Sequence, residues 1–289
     1  MEEFDIYTID PQVHFPQLAE IPEPPKSFSI RGNIDFLENK KIIAVVGSRK
    51  CSSYGKLVCE KIISELRGYP VVIISGLALG IDSIAHRAAL DANLPTIAFP
   101  GSGLDWHALY PSSNRGLAEH IIAHGGALIS EYQNNMKAQL WTFPRRNRIM
   151  AGIADITLVI EAQEKSGTLI TARLATEYNR TVGAIPGNIT SPSSKGTNWL
   201  LRLGAVPITS AQDILEELGI QVHTEKIIET KNFAAPEKAI IELLQNGPLS
   251  KDEILATLDF DVVEISIGLS SLEIEGYIQE TLGTIALIC

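Results

Sequence analysis

Cysteine is scarce in this chain: three among 289 residues, at 51, 59 and 289, which supply neither a disulfide framework nor a zinc-binding spacing. Long apolar runs are missing as well. The apolar stretch Val71 to Ile81 has 11 residues and is already broken by Ser75, Gly76 and Gly80, whereas a helix that crosses a bilayer needs about 20. The first residues, Met1-Glu2-Glu3-Phe4-Asp5, are acidic where a secretory signal is basic and then apolar, so a cytoplasmic location is expected. Hydrolytic motifs are absent: there is no G-x-S-x-G elbow, and the histidines at 14, 86, 107, 120, 124 and 223 never form H-E-x-x-H. His120 and His124 stand one helical turn apart with no third ligand near, so no metal is expected.

What is present fits an ordinary globular protein, with 45% hydrophobic and 20% charged residues, and excludes wholesale disorder. The net charge of −10 is unevenly spread. Residues 1–232 carry 22 Lys and Arg against 24 Asp and Glu, while residues 233–289 carry 2 against 10. Acidity is thus concentrated in the tail, and the remainder is close to neutral. Phosphate contact depends on local cations, so the overall charge does not exclude a nucleic-acid partner.

Residues 1–40 are rich in proline (11, 16, 22, 24 and 25) and read as an extended lead-in with short elements, packed on the next domain. From Lys41 short apolar runs alternate with helical patterns. The runs are Ile42–Val46, Val71–Ile74, Thr96–Phe99, Ala127–Ile129, Ile156–Ile160 and Val182–Ile185. Helices are expected over 55–67, 82–91, 112–124, 145–152, 168–179 and 196–203. Unalternated β-rich runs between helices signal a mostly parallel, doubly wound α/β sheet covered on both faces, here over 41–220. Such sheets bind ligands at the loops beyond the carboxyl ends of their strands. Residues 221–234 read as a linker, and 235–289 as three short helices and a hairpin, the winged-helix plan. Within that unit Ser250 and Glu253 have the spacing of a capping box.

The loops after the strands carry the candidate chemistry. Gly47-Ser48-Arg49 follows the first strand, and a Gly/Ser turn opening a helix lets backbone N–H groups approach an anion. The dinucleotide fingerprint G-x-G-x-x-G is missing, and Gly55-Lys56 is followed by Leu57, so neither NAD nor ATP is supported and no cofactor is expected. Arg49 could instead form a structural ion pair at the sheet edge. Ser75, Gly76 and Gly80 form the second loop, where Asp82 reads first as a helix cap. Gly101 and Gly103 form the third. Phe143-Pro144-Arg145-Arg146-Asn147-Arg148 puts three arginines beside Trp141 and Phe143, suited to phosphates and unpaired bases, with a solvated basic patch as the alternative. Lys165-Ser166-Gly167-Thr168 makes a further anion cup.

These loops, in this order, resemble the DNA-processing protein A family (DprA, also called Smf). The resemblance rests on Ile43–Arg49, Ser75–Asp82 with Ala85-His86, Gly101–Asp105 with Tyr110-Pro111, Phe143–Gly152, Ser166–Arg173, Pro186-Gly187-Asn188 and Gly196-Thr197-Asn198, and covers roughly residues 12–210. It implies an extended Rossmann-like domain, usually in a homodimer, that binds single-stranded DNA without catalysis, protects incoming strands during natural transformation and loads the RecA recombinase. It also implies that Arg49 and the arginines at 145, 146 and 148 hold phosphates. The alternative is a nucleotide-hydrolysing enzyme of the related phosphoribohydrolase branch. That branch has a catalytic Glu three residues after a similar Gly-Thr turn, where this chain has Thr171.

Overall fold

The computed structural model describes residues 5–221, 233–244, 248–281 and 283–287. Most of the expected linker, 222–232, lies outside them. The chain divides into two compact units, 1–222 and 223–289.

In chain order the first unit holds β1 (Ile6–Ile9), α1 (Pro11–His14), β2 (Phe28–Gly32), β3 (Lys41–Val46), α2 (Ser53–Glu65), β4 (Val71–Ser75), α3 (Ile81–Asp91), β5 (Thr96–Ala98), α4 (Arg115–Ala123) and β6 (Ala127–Ser130). It continues with α5 (Thr142–Ile153), β7 (Ile156–Val159), α6 (Thr168–Glu177), β8 (Thr181–Ala184), α7 (Lys195–Arg202), β9 (Val206–Pro207) and α8 (Ala211–Glu217). Its nine strands form one sheet in the order β1-β2-β6-β5-β4-β3-β7-β8-β9. All neighbours from β6 to β9 are parallel, and β1 and β2 run antiparallel at one edge.

The strand alternation explains the layers. Along β3, Ile42, Ala44 and Val46 face a core with α5, α6 and α7, while Ile43 and Val45 face α2, α3 and α8. Both faces are buried, so the strand reads as an unbroken apolar run. From β3 the chain winds outward to β6 and then returns to β7 on β3's other side. The loops after β3 and β7 therefore diverge and open a crevice at the strand ends, the position where doubly wound sheets take ligands.

The lead-in is more than a packed extension. Residues 28–32 pair with β6 in register Ser29 to Ser130, and Phe15, Leu18 and Ile21 are buried in the same core as Met150. Phe28 meets Phe15 and Phe99 edge-on, with ring centroids 6.1 and 6.3 Å apart. Proline content hid these short strands.

The second unit holds α9 (Ala235–Leu244), β10 (Leu249–Ser250), α10 (Lys251–Thr257), α11 (Val262–Ile274), β11 (Ile278–Thr281) and β12 (Thr284–Leu287), with sheet order β10-β12-β11. Ile240, Ile241, Ile254, Ile265 and Leu272 build its own core. Ser250 and Glu253 form the reciprocal capping box, and Asp261 with Glu264 form another at α11.

One buried group makes the first unit acid-sensitive. His86 on α3 is fully buried against Thr96 (Nδ1 to Oγ1, 2.7 Å). Burial, reinforced by the Arg146 charge, pulls its pKa down to about 3. The unfolded imidazole titrates near 6.5, so between these values the unfolded chain holds more protons and stability falls as pH falls. Between pH 7 and pH 5 this group alone should remove about 2 kcal/mol. Urea midpoints at the two pH values check it: His86→Gln should lose that share of the pH dependence.

Candidate functional site

The crevice at the β3 and β7 ends is a cleft of about 470 Å³. Its walls come from four places: Gly47, Ser48, Arg49 and Lys50 after β3; Ala78 and Asp82 at α3; Phe143, Arg146 and Asn147 on α5; and Gln163, Ser166, Gly167, Thr168 and Thr171 at α6. Loops some 120 residues apart in sequence are joined directly, because the Thr168 hydroxyl donates to Gly47 O (3.1 Å).

Arg49 is an exposed cation at the mouth. Its guanidinium lies 5.0 Å from the centroid of the Phe143 ring, a cation–π distance. Among the described residues no carboxylate lies within ion-pair distance of it, so the sheet-edge ion pair considered from sequence is not formed. Phe143 packs on Tyr110 (5.7 Å between centroids), and Trp141 stands on Tyr132 (5.9 Å). Tyr110 and Trp141 are each about half exposed, which leaves aromatic surface beside the cation.

The turn that carries Arg49 rests on the start of α3. Ile81 N–H donates to Ser48 O (3.1 Å), and Gly80, at φ +78°, lets the two chains touch. A Cβ at Gly80 would stand 2.3 Å from Ser48 O and 2.6 Å from Arg49 O, so only glycine fits there.

Asp82 is not the cap of α3. It lies in the first turn, and its Oδ2 accepts from the upstream Gly76 N–H (3.1 Å) and Ala78 N–H (3.3 Å). Burial raises its pKa, against the opposing pull of Arg146 and these amides. Arg146 is buried as well, and burial lowers its pKa although Asp82 pulls the other way. In both groups desolvation outweighs attraction.

A model of the DNA recombination-mediator protein A family matches residues 6–219. The chain belongs to this family. The model of the DprA winged helix domain matches residues 229–283. Protein Smf of Escherichia coli is 37% identical over 262 residues, covering 89% of this chain and 67% of its own length. DNA processing protein DprA of Streptococcus pneumoniae is 44% identical over 200 residues, 69% of each chain. The crystal structure of the Streptococcus pneumoniae protein superposes with a TM-score of 0.69 at 39% identity, covering 77% of this chain and 76% of that one. DNA processing protein A from Helicobacter pylori, described for its single-stranded DNA binding mode, gives 0.66 at 30% identity, covering 75% and 96%.

Within this DprA-family fold the residues singled out from sequence take different places. Gly47, Ser48, Arg49, Phe143, Arg146, Asn147, Ser166, Gly167 and Thr168 line the cleft. Gly76 and Gly80 lie beneath it, Gly101 carries the Phe143 ring, and the Ser75 hydroxyl donates to Val45 O (2.6 Å) inside the sheet. Lys165 is exposed beside the cleft without lining it. Gly103 faces the backbone of Gln133 and Asn134 instead.

The three arginines behave differently from one another. Arg145 is half exposed, with Nε 3.6 Å from Glu131 Oε1. Arg148 turns inward to a buried ion pair with Glu131 and lies outside the cleft lining, which departs from its expected phosphate role. Positions i and i+3 of a helix share a face, so Arg145 and Arg148 both reach Glu131 while Arg146, between them, turns to the cleft. Sequence reasoning also missed Lys50, Gln163 and Thr171 as lining residues. Lys50 was legible as Arg49's neighbour in the same turn, but Gln163 and Thr171 reach the cleft only through the β7–α6 geometry.

Arg148→Met should leave the buried Glu131 with only the half-exposed Arg145, 3.6 Å from its Oε1, at a cost of about 3 kcal/mol. Urea unfolding checks the loss, and ligand affinity per folded molecule should stay at the wild-type value.

Proposed function

We propose that the cleft and its rim hold single-stranded DNA without a catalytic step. The observation that carries this reading is the exposed, unpaired Arg49 guanidinium over Phe143, at the mouth of a cleft bounded by Gly/Ser turns. Unpaired bases present faces that Phe143, Tyr110 and Trp141 could stack on, and each stacked base is worth about 1–3 kcal/mol. A duplex keeps those faces covered. The described binding mode of the Helicobacter relative supports the same ligand.

Non-enzymatic action is favoured by the cleft's own chemistry. Its lining carboxylate, Asp82, uses an oxygen to tie two loop amides. Thr171, buried in the lining, offers no acid where the hydrolase branch has its glutamate. The family resemblance extends the proposal: a cytoplasmic homodimer that protects incoming strands during natural transformation and loads RecA onto them. A recombination-mediator role agrees with this.

Fluorescence anisotropy of a labelled single strand across a salt series, with duplex competitor, is the test. Four exposed cations line the cleft or adjoin a lining residue in sequence: Arg49, Lys50, Arg145 and Lys165. At roughly 0.7 per phosphate contact, the log–log salt slope should be near −3. Arg49→Ala should weaken binding and flatten the slope by about 0.7. Equal preference for duplex, or no binding at low salt, would instead point to a small anionic ligand.

The acidic second unit carries 2 basic against 10 acidic residues over 233–289, so it should repel a phosphate backbone and serve protein contact or dimer support. Deleting residues 233–289 should leave single-strand affinity unchanged or tighter in the same assay, and a large loss would refute this.

A further inference from the structure

We infer that Arg146 is a positioning residue, one that fixes the loops under Arg49 rather than contacting phosphate itself. The inference rests on the proposed DNA-binding role and changes the part given to one of its arginines.

Arg146 lines the cleft yet is 5% exposed. Its Nη1 donates to Gly76 O (2.7 Å) and to Phe99 O, and its Nε donates to Asn147 Oδ1 (3.1 Å). One guanidinium thus joins the loops after β4 and β5 to α5. Gly76 is held from two sides, its carbonyl by Arg146 and its N–H by Asp82. Buried opposite charges grip both backbone groups of a single loop residue, and each charge is itself satisfied by that grip.

The hold passes on to the ligand-facing turn by direct contact. Gly76 and Ala78 are tied to Asp82, the loop runs on to Gly80, and Ile81 N–H donates to Ser48 O. Arg49 follows Ser48. On the other side, Arg146 follows Phe143 by one helical turn, and Phe143 carries the Arg49 guanidinium. Arg146 therefore fixes both surfaces against which Arg49 is set.

Gly76 supplies a way to disturb the hold without removing any charge. A Cβ there would stand 2.5 Å from Nη1 and Nη2 and 2.6 Å from Cζ of Arg146. Gly76→Ala must push the guanidinium off its carbonyls, because such contacts are too close for real atoms.

The test uses the full chain and a labelled single-stranded oligonucleotide, with affinity expressed per active molecule from a saturation titration and thermal midpoints recorded alongside. Arg146→Met, Arg146→Lys and Gly76→Ala should each weaken binding about tenfold or more, and all should keep the wild-type salt slope. A direct phosphate ligand predicts otherwise: Arg146→Met would flatten the slope by about 0.7 and Arg146→Lys would stay near wild type. Either result overturns the inference. So does a lowered thermal midpoint with unchanged affinity per active molecule, which would make Arg146 a support of the fold only. If Arg146→Met fails to fold, Gly76→Ala decides alone, since it keeps every cation. Wild-type protein that fails to bind the strand overturns the proposed function itself, whereas a failed inference leaves wild-type binding intact.

Discussion

A buried guanidinium organises the working end of this molecule. Removing such a charge from water is expensive, and the interior tolerates it only when hydrogen bonds and an opposite charge replace the lost hydration. Around Arg146 the replacements are the carbonyls of Gly76 and Phe99, the Asn147 side chain and the field of Asp82. They come from three stretches of chain: 76–82, Phe99 and α5 itself. The electrostatic requirement of one side chain thereby brings the ends of β4 and β5 to the first turns of α3 and α5, and the cleft forms where they meet.

Much of the fold was legible because parallel strands buried on two faces leave a plain trace. Ile42–Val46 and Val71–Ile74 are short, apolar and uninterrupted, Ile156–Ile160 is broken only by Thr157, and each ends at a small or polar residue where the loop begins. The winged-helix unit was legible through its caps, since Ser250 and Glu253 declare a helix start locally. The edge strands β1 and β2 were not. Strand β1 pairs with β2, which in turn pairs with β6 about a hundred residues further on, and prolines around them suggest an irregular chain. Local pattern carries little information about antiparallel partners so distant.

The site was legible at the level of loops but not of side-chain direction. Sequence placed Arg49 and the Ser166-Gly167-Thr168 turn at strand ends and Phe143 beside a helix start, and they line one cleft. It treated Arg145, Arg146 and Arg148 alike, although helical geometry sends Arg145 and Arg148 towards Glu131 and Arg146 to the loops beneath the cleft. The fate of Arg148 turns on a carboxylate seventeen positions earlier, which no short motif contains. Asp82 likewise resembles a cap by position and acts instead as a tie for the loop before it.

The tie between Asp82 and the Gly76 and Ala78 amides has a thermodynamic consequence. A loop that is ordered only by its ligand loses conformational freedom at the moment of association, and that entropy is subtracted from affinity. Here the ordering is completed when the chain folds, under the same cooperative transition that buries His86 and the β3 core. The rim proposed to meet the strand is already tied at its base, so the remaining freedom belongs to the long side chains, Arg49 and Lys50 above all. Association is then a matter of settling a few rotamers on a fixed frame.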